Sequence, residues 1–374
     1  LEIGRILLEK IPEDEREERI FDIVNQLNIG AELLSAPTEQ IQLATLNLTA
    51  GKKAKAAAAF ADAKKYVEIG IDLLGSECWQ DHYELTLLLH NENGELAALT
   101  GQYDQIDPIA NLVHANAKRI LDQVHIYKTT IEAETAQYNF PKALETGLDV
   151  LRDLGFEIPA QPNGADYQRL NDKLGNLLTD KPLEIASDLP VMSDETAISA
   201  SFILTSIVSA AYIANPSFFP IVAYEGAILT FESGINVWSP YLLSLVAITA
   251  AGSIDRTISH NEGLTRLLMC KQMQELALQV QNKQLTAPCR TKTLEVVCLV
   301  SPWTGPIELA LKTARSGFQS GLETGDLLMS GFAAFHSIYQ GFMAGMSLDL
   351  YQRQITDYVK WSKRMGQTAT LQWL

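Results

Sequence analysis

From Leu43 to Leu74 the chain places small and apolar side chains three and four residues apart over two successive stretches. Nothing else in the sequence restricts the fold as much. Ala50, Ala54, Ala57 and Ala58 form a face of small side chains that a partner helix can approach closely. Phe60, Ala63, Tyr66, Val67, Gly70 and Leu74 supply a second stripe of mixed large and small residues. The pattern predicts two helices packed back to back, with Phe60 and Tyr66 as core aromatics. Such a hairpin cannot bury both stripes by itself. It needs a neighbour on each side, which is the physical basis of a solenoid.

The same order returns along the chain. Leu96-Ala97-x-x-x-Gly101-x-Tyr103 ends one helical pattern at a glycine and opens another. Ala136-x-x-Asn139-Phe140-x-x-Ala143-Leu144-x-x-Gly147-Leu148 repeats the aromatic, alanine, glycine and leucine order of Phe60 to Leu74, and Ser320 to Asp326 joins two further patterns. No stretch alternates with a period of two. The reading is all-α: a tetratricopeptide-like α-α superhelix, a solenoid of antiparallel helical hairpins, set against an ordinary irregular helical domain.

At 374 residues the chain exceeds one ordinary core, so two or three modules or one long array are expected. Residues 1–159 read as an N-terminal helical-repeat module, 160–192 as a linker with a short helix, and 193–374 as a C-terminal helical module continuing the array. Pro159 to Gly164, with two prolines and a glycine, is the clearest break. The opening at Leu1, already helix-like, reads as the interior of a longer polypeptide, and no signal peptide is visible in it. Pro12-Glu13-Asp14-Glu15 suits a helix start, and Ile20, Ile23, Val24 and Leu27 form the stripe that follows. Cys78-Trp79 opens a helix carrying Tyr83, Leu87 and Leu88, and Asp107-Pro108 opens the next, with more helix from Ala115 to about Gln137. Arg256 to Gln284 is amphipathic through Leu264, Leu267, Leu268, Met273, Leu276 and Val280.

No Lys or Arg occurs between Lys181 and Arg256, and Thr196 to Tyr224 has no charge of either sign. A membrane span is the competing reading of this belt. Asn215-Pro216 and Pro220 break it, its flanks are acidic, and no basic residue anchors it. Thr196 to Ile254 is therefore expected as buried helices whose hydroxyls, Ser206 among them, bond to nearby backbone carbonyls.

Composition and motifs remove most chemistry. The formal charge of -16 and the lack of a basic run argue against nucleic acid. Cys78, Cys270, Cys289 and Cys298 form no Cys-x-x-Cys pair and read as free, mostly buried thiols of a reducing cytoplasm. Gly51-Lys52 lacks the upstream glycine of a phosphate loop and reads as a helix junction. No kinase loop is present, and His260-Asn261-Glu262-Gly263 does not continue as a phospho-accepting motif. His82 and His90 could share a helix face, two turns apart, too far for a common metal. Glu13/Glu17 and Glu132/Glu134 lie in charge-rich, solvated stretches. No catalytic, cofactor-binding or metal-binding residue emerges, and no partner-binding face.

Glu18 to Leu33, Ala50-Gly51-Lys52-Lys53-Ala54-Lys55-Ala56, Trp79 to Leu87 and Leu151-Arg152-Asp153-Leu154-Gly155 with Pro159 carry a resemblance. They resemble the helical region of very large multidomain signalling kinases, typical of cyanobacteria and found in other bacteria. Ala210 to Pro220 and Gly317 to Asp326 are similar to the same family; Asp255 to Gly305 matches weakly. In that family a serine/threonine kinase-like domain and an AAA/NACHT-like ATPase precede the helical region, and a GAF sensor and a histidine kinase follow it. Asn93-Gly94 departs from the pattern and is expected to kink its helix. The resemblance implies a non-catalytic, cytoplasmic scaffold or regulatory module with protein partners, no nucleic acid and no membrane insertion. Two other readings stand beside it: a domain with its own small-molecule or enzymatic site, and a membrane-associated bundle built on Thr196 to Ile254.

Overall fold

The computed structural model describes residues 1–75, 77–180, 188–253, 258–365 and 371. The protein is all-α; among the described residues no strand forms, and a parallel bridge between Val191 and Ile235 stands alone. Two compact units divide the chain, Leu1–Gly155 and Phe156–Leu374.

The first unit comprises α1 (Glu2–Lys10), α2 (Ile20–Asn28), α3 (Pro37–Ala56), α4 (Phe60–Asp72), the short α5 (Cys78–Asp81), α6 (Tyr83–Leu99), α7 (Ile106–Asn116), α8 (Ile120–Ala136) and α9 (Phe140–Asp153). Their main packings join helices one and two steps apart: α3 on α4, α4 on α6, α6 on α7 and α8, and α8 on α9, with α3 also touching α6. The core clusters follow the same rule. Ala44, Leu48, Ala54, Ala63, Val67, Leu89 and Leu96 unite α3, α4 and α6. Tyr83, Leu87, Ala110, Val113 and Ile126 unite α6, α7 and α8.

One turn recurs between paired helices. After α3, Ala58 takes a left-handed conformation (φ 58°), its N–H donating to Lys55 O while that of Ala59 donates to Ala54 O. After α6, Gly101 and Gln102 make the corresponding bonds to Ala98 O and Ala97 O. After α8, Tyr138 (φ 62°) and Asn139 make them to Thr135 O and Glu134 O. This is the Schellman closure, which satisfies the last carbonyls of one helix while reversing the chain into the next. A side chain in this conformation costs about 1 kcal/mol relative to glycine, so Ala58 and Tyr138 are held there by the helices on either side.

Several expectations change in this unit. Gly51 lies buried within α3 and is no helix junction, while Ala57 and Ala58 are exposed in the turn and do not extend the small face. Phe60 and Tyr66 are half-buried at the rim of the core. Tyr66 keeps its hydroxyl on Asn25 Oδ1 at 2.8 Å and stacks on Phe21, because its polar tip needs a partner near water. The helix opened by Cys78-Trp79 breaks at His82 (φ -135°), and beyond it Leu88 is exposed. Helix continues from Asp107 to Asn116 and resumes only at Ile120. Gly94 is buried inside α6, where an added Cβ would sit 2.7 Å from Ile126 Cδ1. It therefore brings α6 close to α8, where the sequence suggested a kink.

The second unit comprises α10 (Gly164–Asp180), α11 (Glu195–Ala214), α12 (Phe218–Ser233), α13 (Ser239–Gly252), α14 (His260–Gln281), α15 (Arg290–Thr304), α16 (Ile307–Thr324), α17 (Leu327–Met343) and α18 (Leu348–Arg364). Here too, from α11 onward, each helix packs on its successor, and α11 meets α13, α13 meets α15 and α15 meets α17. Residues 160–192, expected as a linker with a short helix, contain the 17-residue α10, which buries Leu170 and Leu174 and packs on α12. Residues 181–187 of that stretch lie outside the described residues, as do Ile254 and the expected helix start at Arg256.

The belt without Lys or Arg forms α11, α12 and α13, each lined with buried residues along most of its length, and α12 carries Glu225 and Glu232. Several of its hydroxyls bond within their own helices: Thr205 to Ser201 O at 2.8 Å, Ser206 to Phe202 O at 2.9 Å and Ser244 to Tyr241 O at 2.6 Å, while Thr230 also donates to Ser239 Oγ across α12 and α13 at 3.1 Å. Ser206 is half-buried, and Ser244 marks the true interior. α11 is long and apolar enough to cross a membrane by length and composition, and 56% of its apolar window is buried inside the protein. In α14 the inward stripe is Cys270, Met273, Leu276, Ala277 and Val280, which leaves Leu264 (52%) and Leu268 (55%) exposed, against expectation.

Ala58→Gly is expected to raise stability by about 0.5–1 kcal/mol in a urea melt, because it removes the left-handed strain at a small cost in unfolded-state entropy. Ser244→Arg buries a charge without a partner and is expected to lose several kcal/mol or soluble expression. Ser206→Arg, whose longer side chain can reach solvent, should cost about 1 kcal/mol or less in the same melt.

Candidate functional site

The residues singled out by chemistry do not converge. His82 sits at the break between α5 and α6, so it shares no helix with His90. His90 is buried and stacks on Trp79 at 5.3 Å; burial lowers its pKa, and its Nδ1 has no partner. His260 lies exposed in the first turn of α14, and the neighbouring Glu262 pairs with Arg266 at 2.6 Å. Cys270, Cys289 and Cys298 are buried, and burial raises each thiol. Glu134, expected in solvent, is buried and accepts from Asn139 Nδ2 at 2.7 Å and from Lys142. Among the described residues no group of three or more His, Cys, Asp or Glu could hold a metal ion.

Two depressions are open to solvent. One runs along a single face of α18, from Asp349 to Lys360, and has no opposing wall. The other, about 310 Å³, lies between the start of α7 and the end of α8 and is lined by Tyr103, Asp104, Asp107, Thr130, Glu134 and Gln137. Glu134 there is already paired, and no nucleophile stands beside a base, so this cleft lacks the parts of a reaction centre.

The residues that do converge come from α3, α6 and α8, the first helices of three successive hairpins. Lys55 Nζ donates to Glu92 Oε2 at 2.6 Å and to Glu95 Oε2 at 3.1 Å. His125 Nε2 lies 3.1 Å from the same oxygen of Glu95. The side chains reach the surface in part, from 11% exposed at Glu92 to 42% at His125. Burial by itself would raise the Glu95 carboxyl, but the bonds and charges of His125 and Lys55 outweigh it and hold the group down to about 2. Burial would likewise lower Lys55, and its two carboxylates outweigh that and raise it. One turn back on α6, Asn91 is buried with no partner for Oδ1.

The second unit holds a pair of the same type. Glu295 on α15 and His336 on α17 approach to 2.5 Å between Oε1 and Nδ1, outside hydrogen-bond geometry, and Glu295 Oε2 is buried without a partner. In both units a carboxylate and a histidine meet across helices two steps apart. The motif search missed these residues because their spacing is set by packing. A signal was present in Asn91-Glu92-Asn93-Gly94-Glu95, a polar run inside a leucine-rich helix.

No family model matches the sequence. Over 377 aligned residues the chain is 22% identical to "Hybrid signal transduction histidine kinase G" of Dictyostelium discoideum, an alignment that takes in 91% of this chain and 11% of that protein. The chain is similar to a stretch of a signalling kinase. It spans about a tenth of that relative's length, and the relative comes from a eukaryote, whereas the motif resemblance pointed to bacteria. A signal-transduction protein is the reading this similarity supports.

Glu95→Gln is expected to destabilise the protein by on the order of 2 kcal/mol at pH 7 and by little at pH 2. The folded carboxyl titrates below its unfolded value of 4.5, so its contribution is complete above that value and is lost as pH falls through about 2. Urea melts of both proteins at the two pH values check this.

Proposed function

We propose that this chain is a non-catalytic helical-repeat module of a multidomain signal-transduction kinase, built as a tetratricopeptide-like array and coupling domains or binding a protein partner. The observation that carries the proposal is the polar strip of Lys55, Glu92, Glu95 and His125. It runs across the first helices of three successive hairpins, where an array of this type presents a continuous face. The recurring Schellman turn and the packing of α4 on both α3 and α6, and of α6 on both α7 and α8, favour the repeat reading. The alignment with a hybrid histidine kinase favours the signalling context.

Catalysis is assigned to other parts of such a kinase. Here no phosphate loop or kinase loop exists in the sequence, and the residues after His260 do not continue a phospho-accepting motif. A cytoplasmic location and the absence of membrane insertion belong to the same proposal. They are favoured by the unpaired cysteines and by the burial of more than half of the apolar window of α11.

Incubated with labelled ATP, the full chain should incorporate no acid-labile phosphate at His260 and show no ATP binding by calorimetry. Phosphate on His260, or saturable ATP binding, would overturn the non-catalytic assignment. Proximity labelling in cells should enrich kinase and sensor domains beside the chain, and enrichment of metabolic enzymes instead would overturn the signalling role.

A further inference from the structure

The polar strip has a second property that its internal pairing does not use. On α6, Leu88, Asn91, Glu92, Glu95 and Leu99 follow at steps of three and four and so share one face of the helix. At its ends Leu88 and Leu99 are 43% and 46% exposed, although both are large and apolar. Between them stand the two carboxylates and the amide.

Acceptor capacity on this face exceeds its donors. Glu92 and Glu95 each use Oε2 for Lys55, and His125 shares the oxygen of Glu95. Among the described residues no side chain or backbone group is bonded to the other oxygen of either carboxylate, although a carboxylate can accept about four bonds. Asn91 Oδ1 is buried at 8% exposure for the residue and also lacks a donor. An unsatisfied buried acceptor costs roughly 1–3 kcal/mol, which a donor arriving from outside recovers. Lys55 is a flexible point charge that can shift to leave room for it.

Building on the interaction-module reading, we infer that this face of α6 docks a basic amphipathic segment of a partner protein, seating an arginine between Glu92, Glu95 and Asn91 and apolar side chains on Leu88 and Leu99. Arginine fits because its planar fork carries five donors and can bond to two carboxylates and an amide oxygen at once. Charge complementarity favours the same occupant. In Leu1–Gly155 acidic residues outnumber basic ones nearly two to one, which draws basic segments toward this unit and repels acidic ones. The leucines confer what charge cannot, a preference for segments whose arginines alternate with apolar residues at helical spacing.

The test is fluorescence polarisation with the full chain at physiological salt. The probes are a labelled twelve-residue peptide of arginines and leucines at helical spacing, the same peptide with lysine for arginine, and one with glutamate for arginine. The arginine peptide should bind saturably, the lysine peptide more weakly, and the glutamate peptide not at all. Glu92→Gln with Glu95→Gln should weaken the arginine peptide by about ten-fold or more, the value of one or two charge-assisted bonds. Because that pair also releases Lys55, Leu88→Ser with Leu99→Ser supplies a second variant on solvent-facing positions, which should weaken binding while the chain still melts as a folded protein at only a slightly lower midpoint. Glu13→Gln with Glu17→Gln removes equal charge from an exposed segment and should change nothing. An equal loss in that control, unchanged binding in either α6 variant, or no binding of the arginine peptide would overturn the proposal. The ATP experiments address the module reading separately, so these outcomes bear on the docking face alone.

Discussion

Each helix of this protein hides its apolar stripe mainly against the helices that follow and precede it in sequence, and the rest of the structure depends on that constraint. A single amphipathic hairpin leaves one stripe open to water. The chain meets the difficulty locally: α3, α4 and α6 share one cluster, and α6, α7 and α8 share the next. Contacts between near neighbours in sequence cost little loop-closure entropy, which favours rapid, stepwise assembly. The same logic explains why the apolar helices α11, α12 and α13, which carry no Lys or Arg, stand together. Each is apolar around most of its circumference and needs neighbours on several sides.

Close packing of helices two and three steps apart has an electrostatic consequence. It brings Glu95 of α6 within reach of Lys55 on α3 and His125 on α8, and Glu295 of α15 within reach of His336 on α17. Burial alone would raise the Glu95 carboxyl, and the donors from α3 and α8 outweigh it and lower its pKa. Such a group reports the spacing of three helices at once. Any displacement of one hairpin against the next lengthens the bonds of Glu95 to Lys55 and His125.

Much of the fold was legible because helix ends are written locally. Pro37 in the first turn of α3, Gly101 and Gly325 just beyond the ends of α6 and α16, and Asp326 capping α17 all act within a few residues of their own position. The errors fell where a second helix decides. Leu264 and Leu268 satisfy the periodic pattern as well as Met273 and Val280 do, but α14 turns the latter toward its neighbours. Phe60 and Tyr66 match a core stripe, yet their place at the edge of the cluster leaves them half-covered. The candidate site was the least legible part. Its residues lie up to 70 positions apart, on α3 and α8, and no spacing rule links them.

The sequence alone determined that this chain is helical, where most of its helices begin and end, that it lacks the loops of nucleotide and metal chemistry, and that it resembles part of a signalling kinase. These properties rest on 3.6-residue periodicity, caps and motifs, which act over one or two turns. The tertiary structure alone decided which face of each helix is inside, that Gly94 draws α6 onto α8, that α10 is a packed helix of the second unit, and that Lys55, Glu92, Glu95 and His125 meet. Those outcomes depend on the rotation and distance of one helix relative to another, and side-chain volumes at the contact set both quantities.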